Sequence, residues 1–373
     1  MIYFDNAATS NPKPPDVVNA VQQALLESAN PGRSGHALSI NAGRIVLSVR
    51  EELAALFGVD DPFRFVFCFN CTDALNQAIK GTLSRGDHVV ASALDHNSVL
   101  RPLKGLERRG LIDVTLVSPR EDGFLHPADY EAALTPRTRL AVLTHASNVT
   151  GAVQPLDAIA QRCRSRGVLL LLDAAQTAGV LPLALDNIDL CAMPGHKGLL
   201  GPQGIGALYI RPGLTLGPLR EGGTGSSSEN WFQPAEMPER YESGTLNTPG
   251  IAGLLEGIRY VRANLDEIQA HERRLSGVLL YGLKATLGVT VYSPESHRVG
   301  VVSFNVGDES SGSIADALDR EGMAVRGGLH CAPMAHAFLG TLKRGAVRAS
   351  VGYANTLGEV ETFLACIKRL AAT

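Results

Sequence analysis

The sequence predicts an α/β protein with a mainly parallel sheet covered by helices on both faces and a smaller α+β portion after it. Three observations carry this. Apolar runs of four to six residues alternate with helically spaced segments between residues 64 and 174, as expected where strands are buried on both faces. Turn residues punctuate each exchange, consistent with 39 glycines in 373 residues. The alternation then stops near residue 260, where one long helical pattern takes over.

Residues 16–29 and 41–57 have helical apolar spacing, the second closing on Gly58 as a helix stop. "RFVFCFN" (64–70) reads as a strand, and the helix after it is expected to be capped by Thr72. "DHVVASAL" (87–94) is a strand, followed by a helix with Pro102 near its start. "DVTLVSP" and "RLAVLTHAS" (139–147) are strands, then come a helix over 155–166 and a strand over 168–174. A long helix through 251–284, the strand "RVGVVSFNV", a helix over 312–321 and a terminal helix complete the chain. The expected division is a large domain over 15–258 and a small one built from 1–14 and 259–373.

Composition limits the function. Hydrophobic residues make up 45%, enough for a sizeable core, and the length suits two domains at roughly 150 residues each. Formal net charge is −3 without any long Lys/Arg run, so no nucleic-acid partner is expected. The apolar run in "GVLLLLDAAQTAG" breaks at Asp173, far short of the ~20 residues a membrane span needs. "MIYFDNAATS" has no basic region, unlike a secretion signal. A soluble cytoplasmic protein is therefore expected, its six cysteines reduced.

In doubly covered parallel sheets, functional groups gather at the carboxyl ends of the strands. There the sequence places Cys71-Thr72, His96, Asn148, Asp173 with Gln176, and His196-Lys197. Asp173 follows five apolar residues, and burying a charge is costly unless it is paired; a plain helix N-cap is the alternative. Lys197 sits in a glycine-rich turn, "GHKGLLGPQG", where an isolated lysine would ordinarily be a solvated surface group. Small neighbours let the backbone approach a ligand closely. Pyridoxal 5'-phosphate asks for this set: a lysine to carry it, a carboxylate for its pyridinium nitrogen, and backbone N–H groups at a helix start for its phosphate.

The motifs "YFDNAATS", "GHALSINAG", "DHNSVLRPL", "ASNVTG", "DAAQ", "GHKGLLGPQGIGALYI", "YESGTLNTPG" and "RGGLHCAPMAH" through "RASVGYANT" occur in one order along the chain. Together they resemble the class V aminotransferase family, and within it the cysteine desulfurases and selenocysteine lyases. The resemblance implies a fold type I pyridoxal-phosphate enzyme: a mainly parallel seven-stranded sheet in the large domain and a smaller α+β domain. It implies that Lys197 carries the cofactor and shuttles the proton at the substrate α-carbon, and that Asp173 holds the pyridinium charge. Gln176 would bond the phenolic oxygen, and His96 would stack on the ring and transfer protons. Thr72 and His196 would contact the phosphate, Cys71 would support the cofactor, and Thr245 would reach in from the other subunit of a homodimer. Arg348 would clamp the substrate carboxylate, Asn148 would contact carboxylate or ring, and Arg326 would order the cysteine loop. Pro194 departs from the family, which often has a hydroxyl residue there.

The resemblance also gives "RGGLHCAPMAH" a meaning. Cys331 would attack the substrate sulfur, taking it as a persulfide and leaving L-alanine. A thiolate does this best beside cationic groups, and Arg326 and His330 are expected to supply that field. An incidental loop thiol is the alternative; a metal site of His330, Cys331 and His336 lacks a partner pair, so no metal is expected. Cys331 precedes Arg348 by 17 positions (348 − 331), a short loop similar to that of group II desulfurases. The implied partners are L-cysteine, with L-selenocysteine as an alternative substrate, and a sulfur-acceptor protein or small thiol. A different class V reaction, such as C–S lyase, epimerase or aminotransferase, would leave Cys331 without a catalytic role.

Overall fold

The computed structural model describes every residue except 33, 227 and 373. In chain order the elements are β1 (Ile2–Tyr3), α1 (Pro15–Glu27), α2 (Ala37–Phe57), β2 (Phe65–Cys68), α3 (Cys71–Thr82), β3 (His88–Ser92) and α4 (Asn97–Arg108). β4 (Asp113–Val117), α5 (Pro127–Ala133), β5 (Thr138–Thr144), α6 (Leu156–Ser165), β6 (Leu169–Asp173), β7 (Leu190–Pro194) and β8 (Gly206–Ile210) follow. The remainder is α7 (Thr248–Lys284), β9 (Val289–Val291), β10 (Val301–Val306), α8 (Ser311–Arg320), β11 (Met323–Ala324), α9 (Pro333–Phe338), β12 (Val347–Ser350) and α10 (Leu357–Ala371).

Seven strands form one sheet in the order β2-β8-β7-β6-β5-β3-β4. All neighbours are parallel except β8, which runs antiparallel to both β2 and β7. Alternate residues of a strand enter opposite cores, as a two-residue repeat requires: Leu170 and Leu172 face one apolar cluster, Leu171 the other. β7 divides likewise, with Cys191 and Met193 on one side and Leu190 and Ala192 on the other. This two-sided burial is why the strands read as continuous apolar runs.

α7 joins two parts of the molecule. Its first half sends Ile251, Leu254 and Ile258 into the sheet core, and its second half sends Leu275, Leu279 and Leu283 into a separate cluster. That cluster covers the antiparallel sheet β12-β10-β9 and includes Phe4 from the N-terminal segment. Two local expectations change. α3 is capped by Asn70, whose Oδ1 accepts from the Asp73 N–H at 3.0 Å; Thr72 lies inside the first turn and its hydroxyl is left for other work. α2 begins at Ala37, four residues before the expected start, because His36 caps it through its ring nitrogen.

Candidate active site

The carboxyl ends of β2, β3, β5, β6 and β7 converge on one cavity of about 220 Å³. From the sheet come Cys71, Thr72, His96, Asn148, Asp173, Gln176, His196 and Lys197; from the last third of the chain come Arg326, His330 and Arg348. Residues two hundred positions apart thus share one wall: Arg348 Nη1 donates to the Asn148 carbonyl at 3.1 Å, and a short antiparallel bridge holds Arg326 beside Arg348.

Lys197 occupies the turn between β7 and β8. Gly179, at φ +77°, packs against the backbone of Gly198 and Leu199, and a Cβ on Gly198 would lie 2.6 Å from Val180 Cγ2. The turn is also pinned from the N-terminal segment: the Ser10 N–H and Lys13 Nζ donate to the His196 carbonyl at 3.0 and 2.8 Å. Burial pushes the Lys197 pKa down, with Arg348 acting in the same direction. An amine so placed gives up its proton readily and is the better nucleophile toward an aldehyde.

Asp173 ends β6 and is 3% exposed. Its Oδ1 accepts from the Ala175 N–H at 2.9 Å and from the Cys71 thiol at 3.7 Å. Burial pushes its pKa up, and a cation set against it would restore the charge. Burial raises the Cys71 thiol well above its usual value, with Asp173 adding to the effect, so Cys71 acts as a neutral donor.

His96 caps α4. Its Nδ1 accepts from the Ser98 N–H at 3.1 Å and lies 2.8 Å from Ser98 Oγ, which is 2.7 Å from Thr72 Oγ1. Burial first, then Lys197, lowers the His96 pKa to about 4, so the ring is neutral. Sequence reading missed Ser98; its only signal was a hydroxyl two residues after the histidine in "DHNS". It also missed Asp5, which pairs with Arg348 at 2.8 Å across 343 positions of chain, a separation that spacing cannot reveal.

Cys331 is exposed and does not itself line the cavity, although its neighbours Arg326 and His330 do. Its Sγ accepts from Arg326 Nη2 at 3.9 Å, and its carbonyl accepts from the Asn97 N–H, next to His96, at 2.7 Å. His330 and Cys331 both have positive φ, 48° and 57°, a conformation non-glycine residues adopt at a cost and that surrounding contacts must hold. Asn148 Nδ2 supplies one such contact, donating to the His330 carbonyl at 2.7 Å. The expectation that His330 adds positive charge is corrected. Its ring is buried, accepted by the Ala346 carbonyl at 3.0 Å, and burial lowers its pKa to about 2. Arg326 is the cation in contact with the sulfur. Gln176 donates to the Ala7 carbonyl at 3.2 Å. Thr245 is exposed and does not line this chain's cavity.

The residues fit pyridoxal phosphate. The cavity has a lysine of lowered pKa, a buried carboxylate, and the N–H groups that open α3 beside Thr72. His196 Nδ1 and Arg348 Nε are buried without a hydrogen-bond partner, a costly condition in an interior that polar groups of a bound cofactor and its substrate would relieve.

A mainly parallel sheet whose strand ends bring a lysine and a buried aspartate to one cavity defines the class as fold type I pyridoxal-phosphate proteins. The Aminotransferase class-V family matches residues 2–363, and the chain belongs to that family, whose cofactor is pyridoxal 5'-phosphate. A protein of Methanothermobacter thermautotrophicus named "Probable cysteine desulfurase" is 34% identical, over 99% of this chain and 94% of its own length. The apo structure of a cysteine desulfurase from Thermococcus onnurineus superposes with a TM-score of 0.93 at 34% identity, over 100% of this chain and 95% of that one. A cysteine desulfurase from Escherichia coli, solved as its S-sulfonic acid, gives 0.89 at 26% identity, over 98% and 94%.

Proposed function

We propose that this chain is a pyridoxal-phosphate-dependent cysteine desulfurase that converts L-cysteine to L-alanine and holds the sulfur as a persulfide on Cys331. The observation that carries this is the placement of Cys331: an accessible thiol touching Arg326, anchored through its own carbonyl to the first N–H of α4 beside His96. The names of the relatives agree with it.

When bound, the cofactor withdraws electrons from the carbons of an attached amino acid. Lys197 carries it and moves protons at the substrate α-carbon, while Asp173 supplies the negative charge opposite the ring nitrogen. Thr72, His196 and the start of α3 hold the phosphate, with Cys71 and Gln176 placing the ring. Ser98 keeps His96 with Nδ1 as acceptor, leaving the Nε2–H directed elsewhere. Arg348 and Asn148 orient the substrate carboxylate. The Cys331 sulfur attacks the substrate sulfur; the substrate C–S bond breaks, an S–S bond forms, and Cβ takes a proton. L-Cysteine and the Cys331 thiol thereby become L-alanine and the Cys331 persulfide, with no outside oxidant.

The reading extends to a homodimer in which Thr245 completes the neighbouring site, to the division of the chain at 15–258 against 1–14 with 259–373, and to a cytoplasmic setting. Among the described residues no helix is long and apolar enough to cross a membrane. The short loop implies that an acceptor protein or small thiol comes to Cys331. Product analysis tests the proposal: the protein and its Cys331→Ala variant are given L-cysteine and a reductant, and alanine, sulfide and pyruvate are quantified. Equal alanine and sulfide, lost in the variant, is the expected result. Pyruvate with sulfide from both proteins would mean β-elimination and overturn it.

A further inference from the structure

A second crevice, of about 360 Å³, lies between the second half of α7 and the segment leading into β10. That volume falls within the ~300–1,000 Å³ usual for small-molecule sites. Glu272 and Arg298, two ionisable side chains of opposite sign that line it, are not paired with each other, and Arg273 beside Glu272 is a second arginine on the wall. Glu272, on α7, is 9% exposed and has no hydrogen-bond or ion-pair partner among the described residues; burial alone pushes its carboxyl up to about 8, so the empty crevice holds it mainly as the acid and a cation set against it would restore the charge. Gly300 leaves it room, since a Cβ there would lie 3.2 Å from Glu272 Oε2. Arg298 has a buried Nε without a partner, and only its Nη1 donates, to the Val299 carbonyl at 3.4 Å. The neighbouring Glu295 is already taken by Lys284 at 2.6 Å.

A buried carboxyl and a half-buried guanidinium left without partners are costly, and structures ordinarily satisfy such groups. A simple cation in this crevice would leave Arg298 unsatisfied, and a simple anion would leave Glu272 so. We propose that the crevice is a binding site for a small zwitterion of the amino-acid class, with its ammonium on Glu272 and its carboxylate on the Arg298 guanidinium. Val153, Val180 and Leu181 complete the wall and suit a short aliphatic side chain. Glu272, Val299 and Gly300 also wall a narrow inner chamber that reaches Lys197, so occupancy bears on the backbone beside the candidate active site.

Isothermal titration calorimetry of the cofactor-loaded protein with N,N-dimethylglycine tests this. The probe's tertiary amine cannot condense with an aldehyde, so the result stands apart from whether the chain desulfurates cysteine. Saturable binding is expected, weakened at least about tenfold by Glu272→Gln and by Arg298→Gln, and unchanged by Arg348→Lys in the other cavity. On the unmodified chain, acetate and dimethylammonium, the two single-charge halves, should each bind at least about tenfold more weakly than the whole. Absence of saturable binding overturns the proposal. So does parent affinity in either crevice variant, loss of binding in Arg348→Lys, or a half that binds as tightly as the zwitterion.

Discussion

Arg348, 1% exposed, donates from Nη2 to Asp5 Oδ1 at 2.8 Å and from Nη1 to the Asn148 carbonyl at 3.1 Å. Both terminal nitrogens are therefore fixed, and only Nε remains without a partner. In the proposed carboxylate clamp, a substrate would therefore meet a guanidinium whose plane is already set by two anchors, and would have to uncover Nε or displace Asp5.

Lysine cannot reproduce that geometry, because an ammonium offers a point charge and no planar fork. Arg348→Lys is expected to raise KM for L-cysteine about 10–100-fold, roughly 1.4–2.8 kcal/mol of binding, with a smaller change in kcat. Steady-state kinetics reads both. An unchanged KM would remove Arg348 from the carboxylate site.

Asn148 acts on the cysteine loop through the backbone. Its bond to the His330 carbonyl helps hold two successive residues at positive φ. Asn148→Ala leaves a buried acceptor unsatisfied, costing about 1–3 kcal/mol, and frees the loop. Unfolding in urea should show that loss, and alkylation of Cys331 by iodoacetamide should change rate. A variant matching the parent in both would show that the loop is held elsewhere.

Much of this was legible because the sheet is buried on both faces: strands written as apolar runs locate their own ends, and the ends locate Cys71, His96, Asp173 and Lys197. The cavity places these four together as the motifs implied. What lay beyond reading was set by contacts distant in sequence. Asp5 meets Arg348 only because the N-terminal segment joins the C-terminal sheet, through a bridge between Asp5 and Ser350. His330 was misjudged because a histidine's charge depends on burial, which a loop sequence does not display. The cap of α3 shifted from Thr72 to Asn70 because both residue types are good caps and the β2–α3 turn decides between them.

The turn carrying Lys197 should tolerate no side chain at Gly198. A Cβ there would clash with the Ala178 carbonyl and lie 2.6 Å from Val180 Cγ2, so the backbone must shift. Overpacking of this kind costs about 1–3 kcal/mol. Gly198→Ala should lower the unfolding midpoint and weaken retention of pyridoxal phosphate, read as absorbance lost on dialysis. Full retention with parent stability would show that the turn has slack.

Buried histidines give the fold an acid limb. His336 is fully buried, its Nδ1 lies 2.8 Å from Thr341 Oγ1, and burial lowers its pKa to about 4. The unfolded chain takes up this proton near the ordinary value of about 6.5, so stability is whole above that pH and is lost as pH falls toward 4. His145, lowered to about 4, adds in the same direction. Asp95, raised by burial to about 7, works in the opposite direction: its contribution is present below the ordinary carboxylate range and lost as pH rises through 7. The net slope therefore mixes signs, and a single variant separates them. Between about pH 7.5 and about pH 5, His336→Gln should lose roughly 1–2 kcal/mol less stability than the parent in urea unfolding, whatever the substitution does at a fixed pH. Parallel pH dependences in the two proteins would mean that His336 titrates normally and that its burial is relieved by water.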